Sequence, residues 1–148
     1  ENQEQVLAAG PDVYNHNLET VRRLQSIIRP QASYGRSLGV LQRAARYRNT
    51  PAVKSGIMLG LGETDQEVEQ ALCDLVSVGC EILTLGQYLQ PTRFHASVDR
   101  FVPPEEFDHW AVRARELGFS AVASGPMVRS SYKAENLLDE TRRSNVPA

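Results

Sequence analysis

The sequence predicts an α/β fold built on a parallel sheet, of either the doubly wound or the (β/α)-barrel kind. Two observations predict it. Short apolar runs alternate with stretches whose apolar residues recur at helical spacing. The glycines and unusual polar residues gather just after those apolar runs, at the strand ends where parallel α/β folds bind their ligands. Three strand-then-helix units of this kind bury too little apolar surface to be complete, so the sequence implies half a barrel whose open side requires further strands.

Gln5 to Ala9, ahead of Gly10, resembles the end of a helix, and with Glu1 in place of a methionine the chain is expected to lack its beginning. The first strand covers Asp12 to Tyr14, and Val21, Leu24, Ile27 and Ile28 give the next stretch a helical spacing that Pro30 stops. Ser33 caps a helix over Tyr34 to Tyr47, with Leu38, Leu41 and Ala45 on one face. Val53 to Leu59 forms the second strand, broken by Gly60-Leu61-Gly62. Thr64-Asp65-Gln66-Glu67 is a capping-box sequence, and Val68, Ala71, Leu72, Leu75 and Val76 form the apolar stripe behind it. Glu81 to Leu85 is the third strand, stopped by Gly86, and Pro91 to Val102 is a loop. Pro103-Pro104-Glu105-Glu106 opens a helix whose buried face is Phe107, Trp110, Ala111, Ala114 and Leu117, and Gly118 ends it. Phe119 to Ala123 supplies a further strand, and the residues from Thr141 form a polar tail.

Composition excludes several functions. The chain of 148 residues is 41% hydrophobic and 23% charged, with a net charge of −2, so it lacks the basic excess that nucleic acid or an anionic membrane demands. No apolar run approaches the roughly 20 residues that cross a bilayer, and no leader peptide is visible. Cys73 and Cys80, the two cysteines, are seven residues apart, which fits neither CxxC nor a cluster spacing, so both are expected to be packing residues. His16, His95 and His109 are too scattered for a metal triad. No GxSxG elbow, P-loop or phosphate-binding GxGxxG occurs.

At the strand ends stand Asn15, His16, Asn17, Glu19 and Thr20, then Gly60, Gly62 and Glu63, then Gly86, Gln87 and Tyr88, and finally Ser124, Gly125 and Arg129. The first group suits helix capping, and equally an amide and a carboxylate two residues apart that grip the two hydroxyls of a ribose. The glycines suit a plain strand and turn, and equally the close approach of a flat ring to the backbone. Ser130 and Ser131 beside Arg129 suit a cap or surface turn. The residues alone therefore give a nucleotide-like site in a parallel α/β fold.

Four segments also carry a resemblance. Tyr14-Asn15-His16-Asn17-Leu18-Glu19-Thr20 resembles the ribose-contacting strand end shared by lipoyl synthases and biotin synthases, and Lys54-Ser55-Gly56-Ile57-Met58-Leu59-Gly60-Leu61-Gly62-Glu63-Thr64 is similar to the GxIxGxxE-type strand of radical S-adenosylmethionine (SAM) barrels. Leu83-Thr84-Leu85-Gly86-Gln87-Tyr88-Leu89-Gln90-Pro91-Thr92 and Gly125-Pro126-Met127-Val128-Arg129-Ser130-Ser131-Tyr132-Lys133-Ala134 resemble the sixth strand with its loop and the C-terminal RSSY segment of lipoyl synthases. A lysine stands at Lys133, where a histidine is common in that family. The order and spacing agree from about Gln5 to Ala134. Biotin synthases share the first two segments, and the last two favour lipoyl synthase.

The resemblance implies the C-terminal half of a radical SAM partial (β/α)6 TIM-type barrel plus a C-terminal extension. It divides the chain into a partial barrel over residues 1–124, the RSSY segment over 125–138 and a polar, disordered tail over 139–148. It implies a radical SAM sulfurtransferase that uses two [4Fe–4S] clusters. One cleaves SAM to a 5′-deoxyadenosyl radical, and the other supplies the two sulfur atoms inserted at C6 and C8 of a protein-bound octanoyl chain to form the lipoyl cofactor. The implied partners are an octanoylated lipoyl domain of 2-oxoacid dehydrogenase E2 subunits or the glycine cleavage H protein, with ferredoxin or flavodoxin as electron donor, and no nucleic acid or membrane. By the match, Asn17 and Glu19 bind the SAM ribose, Arg36 its carboxylate, and Met58, Gly60 and Leu89 lie near its adenine. Ser131 corresponds to the ligand of the auxiliary [4Fe–4S] cluster, and Arg129 would offset that ligand's charge. The family's CxxxCxxC and second cysteine triplet are absent, so this chain alone is expected to be an inactive fragment with no catalytic residue of its own. Biotin synthase-like sulfur insertion and a non-catalytic module binding SAM or a carrier domain are the alternatives. A bacterial cytoplasm is the expected compartment, and plastid and mitochondrial versions share this half.

Overall fold

The computed structural model describes residues 2–147. Its centre is a four-stranded sheet of β1 (Val13–Asn15), β2 (Ala52–Leu59), β3 (Ile82–Gln87) and β4 (Ala121–Ser124), all parallel and in chain order. The register aligns Asn15, Lys54, Ile82 and Ala121 in one row and Gly56, Thr84 and Ala123 in a row nearer the C-terminal ends. Side chains alternate across the sheet, so these rows share one face. Val53, Ile57, Leu59, Leu83 and Leu85 occupy the other face and enter the main core.

Helices cover that core face. They are α1 (Asn2–Ala8), α2 (Gln25–Ile28), α3 (Tyr34–Ala45), α4 (Asp65–Ser77) and α5 (Pro104–Leu117). The expected capping box at α4 is present: Thr64 accepts from the Glu67 amide while the Glu67 carboxylate accepts from the Thr64 amide. Ser33 caps α3 by accepting from the Arg36 amide. Phe107, Trp110 and Ala114 bury the inner face of α5, as their spacing predicts, and Gly118 ends that helix at φ 120°.

The helical spacing over 21–28 is realised as a 3₁₀ turn, Arg22–Leu24, continued by α2, and the stretch ends ahead of Pro30. The structure departs from the sequence reading at β3 and at the C-terminus. Gly86 does not stop β3, which runs on to Gln87. Residues 139–144 are not a disordered tail but the second half of α6 (Ala134–Ser144). This helix is held because Leu137 packs on Ile82 and Ala121 across the face opposite the main core, with Thr141 also buried. Arg142 pairs with Asp12 at 2.7 Å, and Asn145 donates to Glu81 at 3.0 Å, both just ahead of strands. The parallel α/β class holds, with four strands.

Candidate functional site

A cleft of about 250 Å³ opens at the C-terminal ends of the strands. Its lining includes Asn17 and Glu19 after β1, Gly56 and Met58 on β2, Thr84 and Gly86 on β3, Leu89 beyond it, and Val128, Arg129 and Ser130 of the segment after β4. It thus brings together five of the residues that the resemblance assigns, Asn17, Glu19, Met58, Leu89 and Arg129, with Gly86, Gln87 and Ser130, which the sequence also marks.

Glu19 is held in a strained position. Its φ is 73°, a left-handed conformation that side chains other than glycine adopt at a cost of order 1–3 kcal/mol. The strain persists because the chain around it is pinned to β2: the Glu19 amide donates to the Gly56 carbonyl at 2.9 Å and its carbonyl accepts from Met58 at 2.8 Å. Leu18 fills the core beside it, its amide donating to the Ser55 hydroxyl. Gln25 donates to the carbonyls of Leu18 and Thr20, and Arg29 to that of Asn17, so the whole 17–20 turn is clamped from the side away from the cleft.

The Asn17 amide oxygen is buried and has no hydrogen-bond partner. A buried acceptor left unsatisfied costs about 1–3 kcal/mol, which a ligand hydroxyl would relieve. Next to it a Cβ on Gly56 would come within 2.6 Å of the Thr84 hydroxyl oxygen and 3.2 Å of that same Asn17 oxygen, so only glycine fits there. The cleft therefore offers an unpartnered amide acceptor and a carboxylate, held two residues apart over a glycine floor. Those groups suit a pair of adjacent hydroxyls.

Gly60, Glu63, Arg36, Ser131 and His16 fall outside the cleft lining, whereas Gln87 is part of it. At Gly60, with φ 97°, a Cβ would collide with Gln87 and the Arg100 carbonyl. The Glu63 carboxylate accepts from the Gly60 and Leu61 amides and so fixes the turn. Gln87 donates to the Tyr88 and Arg100 carbonyls and accepts from Val102, folding the 91–102 loop back onto the strand ends. Arg36 is exposed in the first turn of α3, outside the cleft lining. Ser131 is exposed on the turn that follows the cleft wall. His16 shares a 3.1 Å hydrogen bond with Ser37, and burial, aided by Arg29, lowers its pKa below the ordinary histidine value.

Sequence reasoning assigned no role to Lys54. It is 3% exposed on the same face as Gly56, it donates to the Ser130 carbonyl, and burial lowers its pKa. The one available signal was a lysine at the start of an otherwise apolar strand.

A metal cluster does not fit these residues on their own. Among the described residues no group of three or more His, Cys, Asp or Glu is placed to hold a metal ion. Cys73 lies on α4 beside Trp110, on the helical exterior. Cys80 is buried against the Val53 and Ile82 carbonyls, and burial pushes its thiol up to about 12, away from the thiolate a cluster needs.

Comparison with known proteins defines the class. The model of the Radical SAM superfamily matches residues 3–75, a span that includes the Asn17–Glu19 turn, all of β2 and the Gly60–Glu63 turn. Lipoyl synthase 1, chloroplastic, of Zea mays is 56% identical over 132 residues, covering 88% of this chain and 37% of that protein. Lipoyl synthase of Nitrosococcus oceani is 57% identical over 132 residues, 89% of this chain and 41% of its own length. Lipoyl synthase, chloroplastic, of Ricinus communis is 51% identical over 150 residues, 98% of this chain and 41% of its own length. The chain belongs to the lipoyl synthase family of that superfamily. It spans about two fifths of the length of the curated relatives it matches. Among the described residues no helix is long and apolar enough to cross a membrane.

Proposed function

We propose that this chain forms the ribose side of a SAM site in a lipoyl synthase, an enzyme that inserts two sulfur atoms at C6 and C8 of a protein-bound octanoyl chain. The observation that carries the reading is the unpartnered Asn17 amide oxygen, set beside the strained Glu19 at one cleft. Asn17 and Glu19 each accept from a ribose hydroxyl, and the missing side chain at Gly56 lets the sugar settle against β2. Met58 and Leu89 supply apolar contact for the adenine. Arg36, exposed on α3, meets the carboxylate end, and Arg129 lines the cleft from the segment after β4. When bound, SAM and its cluster supply the radical chemistry. This chain's own residues bind and orient the nucleoside.

The sheet is read as one half of a partial (β/α)6 TIM-type barrel. The cysteines for both clusters are assigned to residues outside these 148, as the greater length of the relatives allows. Ser131, exposed on its turn, is assigned as the single ligand that this chain contributes to the auxiliary cluster. The substrate is an octanoylated lipoyl domain of a 2-oxoacid dehydrogenase E2 subunit or of the glycine cleavage H protein, with ferredoxin or flavodoxin as donor. High identity to lipoyl synthases favours this reading over biotin synthase-like insertion.

The test is SAM affinity in the intact, cluster-loaded protein, by equilibrium titration. Asn17→Ala and Glu19→Ala each remove an acceptor for a ribose hydroxyl, and a hydrogen bond involving a charged group is worth about 1.5–3 kcal/mol. Each variant is expected to weaken SAM binding by about tenfold or more. Unchanged affinity in both would overturn the reading.

A further inference from the structure

The segment after β4 is held over the cleft by a buried cation, and among the described residues no hydrogen bond reaches it from the 17–20 turn or the β2–α4 turn. Gly125 donates to the Leu85 carbonyl at 3.1 Å, which ties the end of β4 to β3 where the strap begins. Two turns follow, closed by Val128 donating to Gly125 and Tyr132 donating to Arg129. Local turns of this kind set a shape but fix no position on the sheet. Position comes from two points. The Val128 carbonyl lies directly over Gly86, in space that any Cβ at Gly86 would fill. The Ser130 carbonyl receives the ammonium of Lys54, which reaches it from the sheet face two residues before Gly56. Lys54 is 3% exposed, and no carboxylate lies within ion-pair distance of it among the described residues. A cation buried without a counter-charge is costly, and the Ser130 carbonyl is the one acceptor its ammonium reaches among the described residues, so breaking that bond would leave it with none.

We propose that Lys54 is a positioning residue: it latches the 125–132 strap across the sheet and so builds the wall of the SAM cleft formed by Val128, Arg129 and Ser130. Among the described residues the strap is the only part of the cleft lining that comes from beyond β3 and its loop. Its placement therefore sets the width of the cleft, and through the same turn it sets where Ser131 stands. The function given to the cleft rests on the SAM reading above, whereas the latch itself does not.

Hydrogen exchange followed by mass spectrometry, on the intact protein without SAM, reads the latch directly. In Lys54→Met, exchange across residues 125–133 is expected to accelerate by about tenfold or more, while exchange across 65–77 in α4 stays unchanged. Lys54→Arg, which keeps a cation and its donors, is expected to retain most of the protection. Gly86→Ala reaches the same end from the other anchor, by pushing away the Val128 carbonyl. SAM affinity of the cluster-loaded protein is expected to fall about fivefold or more in Lys54→Met, because the wall is no longer preorganised. Protection of 125–133 left intact in Lys54→Met, or lost equally in α4, would overturn the latch. A freed strap with unchanged SAM affinity would overturn its role as a wall. Asn17→Ala separates the two claims. It is expected to weaken SAM binding without freeing the strap, and a failure there strikes the SAM reading alone.

Discussion

The Asn17 oxygen and the Glu19 backbone each carry a local cost, one of desolvation and one of conformation, and neither is relieved within the chain. The Asn17 oxygen differs from the equally unpartnered Thr20 and Gln25 oxygens in that its residue lines the cleft, which is why the SAM proposal rests on it. The cysteines show the opposite case, a chemically capable group disarmed by its surroundings. Cys80 is 3% exposed with its thiol pushed up to about 12, so it should not react with iodoacetamide in the native state near pH 8. Cys73 is only half-buried on the helical exterior. Mass spectrometry is expected to show a single alkylation, at Cys73, in native buffer and a second one, at Cys80, only in denaturant. Native labelling of Cys80 would contradict its packing. The spacing of the two cysteines already predicted a packing role. Their burial could not be read so directly, because exposure depends on what α4 and β3 pack against.

Helix α4 shows which elements the sequence could specify by itself. Its cap, its first-turn acids and its stripe of Val68, Ala71, Leu72 and Leu75 are all local, and all are realised. The hydrogen bonds from Arg23, and next that from the Thr64 amide, hold the Glu67 carboxyl down at about 2. A carboxyl with a folded pKa below its ordinary 4.5 binds its proton more readily when unfolded. Its contribution is therefore complete above about pH 4.5 and drains away as the pH falls toward 2. Glu67→Gln is expected to flatten the acid limb of stability in that window, measured as the urea midpoint against pH. The pair is exposed, so the effect is modest and shrinks in salt. Helix α6 was not legible by the same route. It begins at Lys133 in a left-handed conformation, with no side-chain cap, and its sequence is mostly polar. Its one hint is Leu137 and Thr141, four residues apart on one face, and they mean little without knowing that Ile82 and Ala121 lie opposite. Gly86 misled for a related reason. Glycine usually interrupts a strand, and here the strand continues because the absent side chain makes room for a carbonyl 42 residues later.

At the scale of the molecule, the two faces of the sheet have unequal cover. One is packed by α3, α4 and α5 around a broad core, whereas the other rests on a small cluster of Ile82, Ala121 and Leu137. The strap covers the upper part of that second face and α6 covers the lower part, so the residues after β4 run along the face from the cleft toward the starts of the strands. This arrangement makes α6 the lower support of the strap that Lys54 fastens above. Leu137 is 5% exposed, and its truncation leaves a void that the flat sheet behind it cannot fill. Leu137→Ala is expected to cost about 2–5 kcal/mol, the usual range for a buried leucine, read from urea denaturation. The pattern of the loss is more diagnostic than its size. The broad core does not include Leu137, so amide exchange in α4 should change only as far as global stability does. Exchange in 125–144 should rise much further, because that segment loses its main apolar anchor. A uniform rise across both faces would mean that the molecule unfolds as one unit, and that the strap and α6 share no stability of their own.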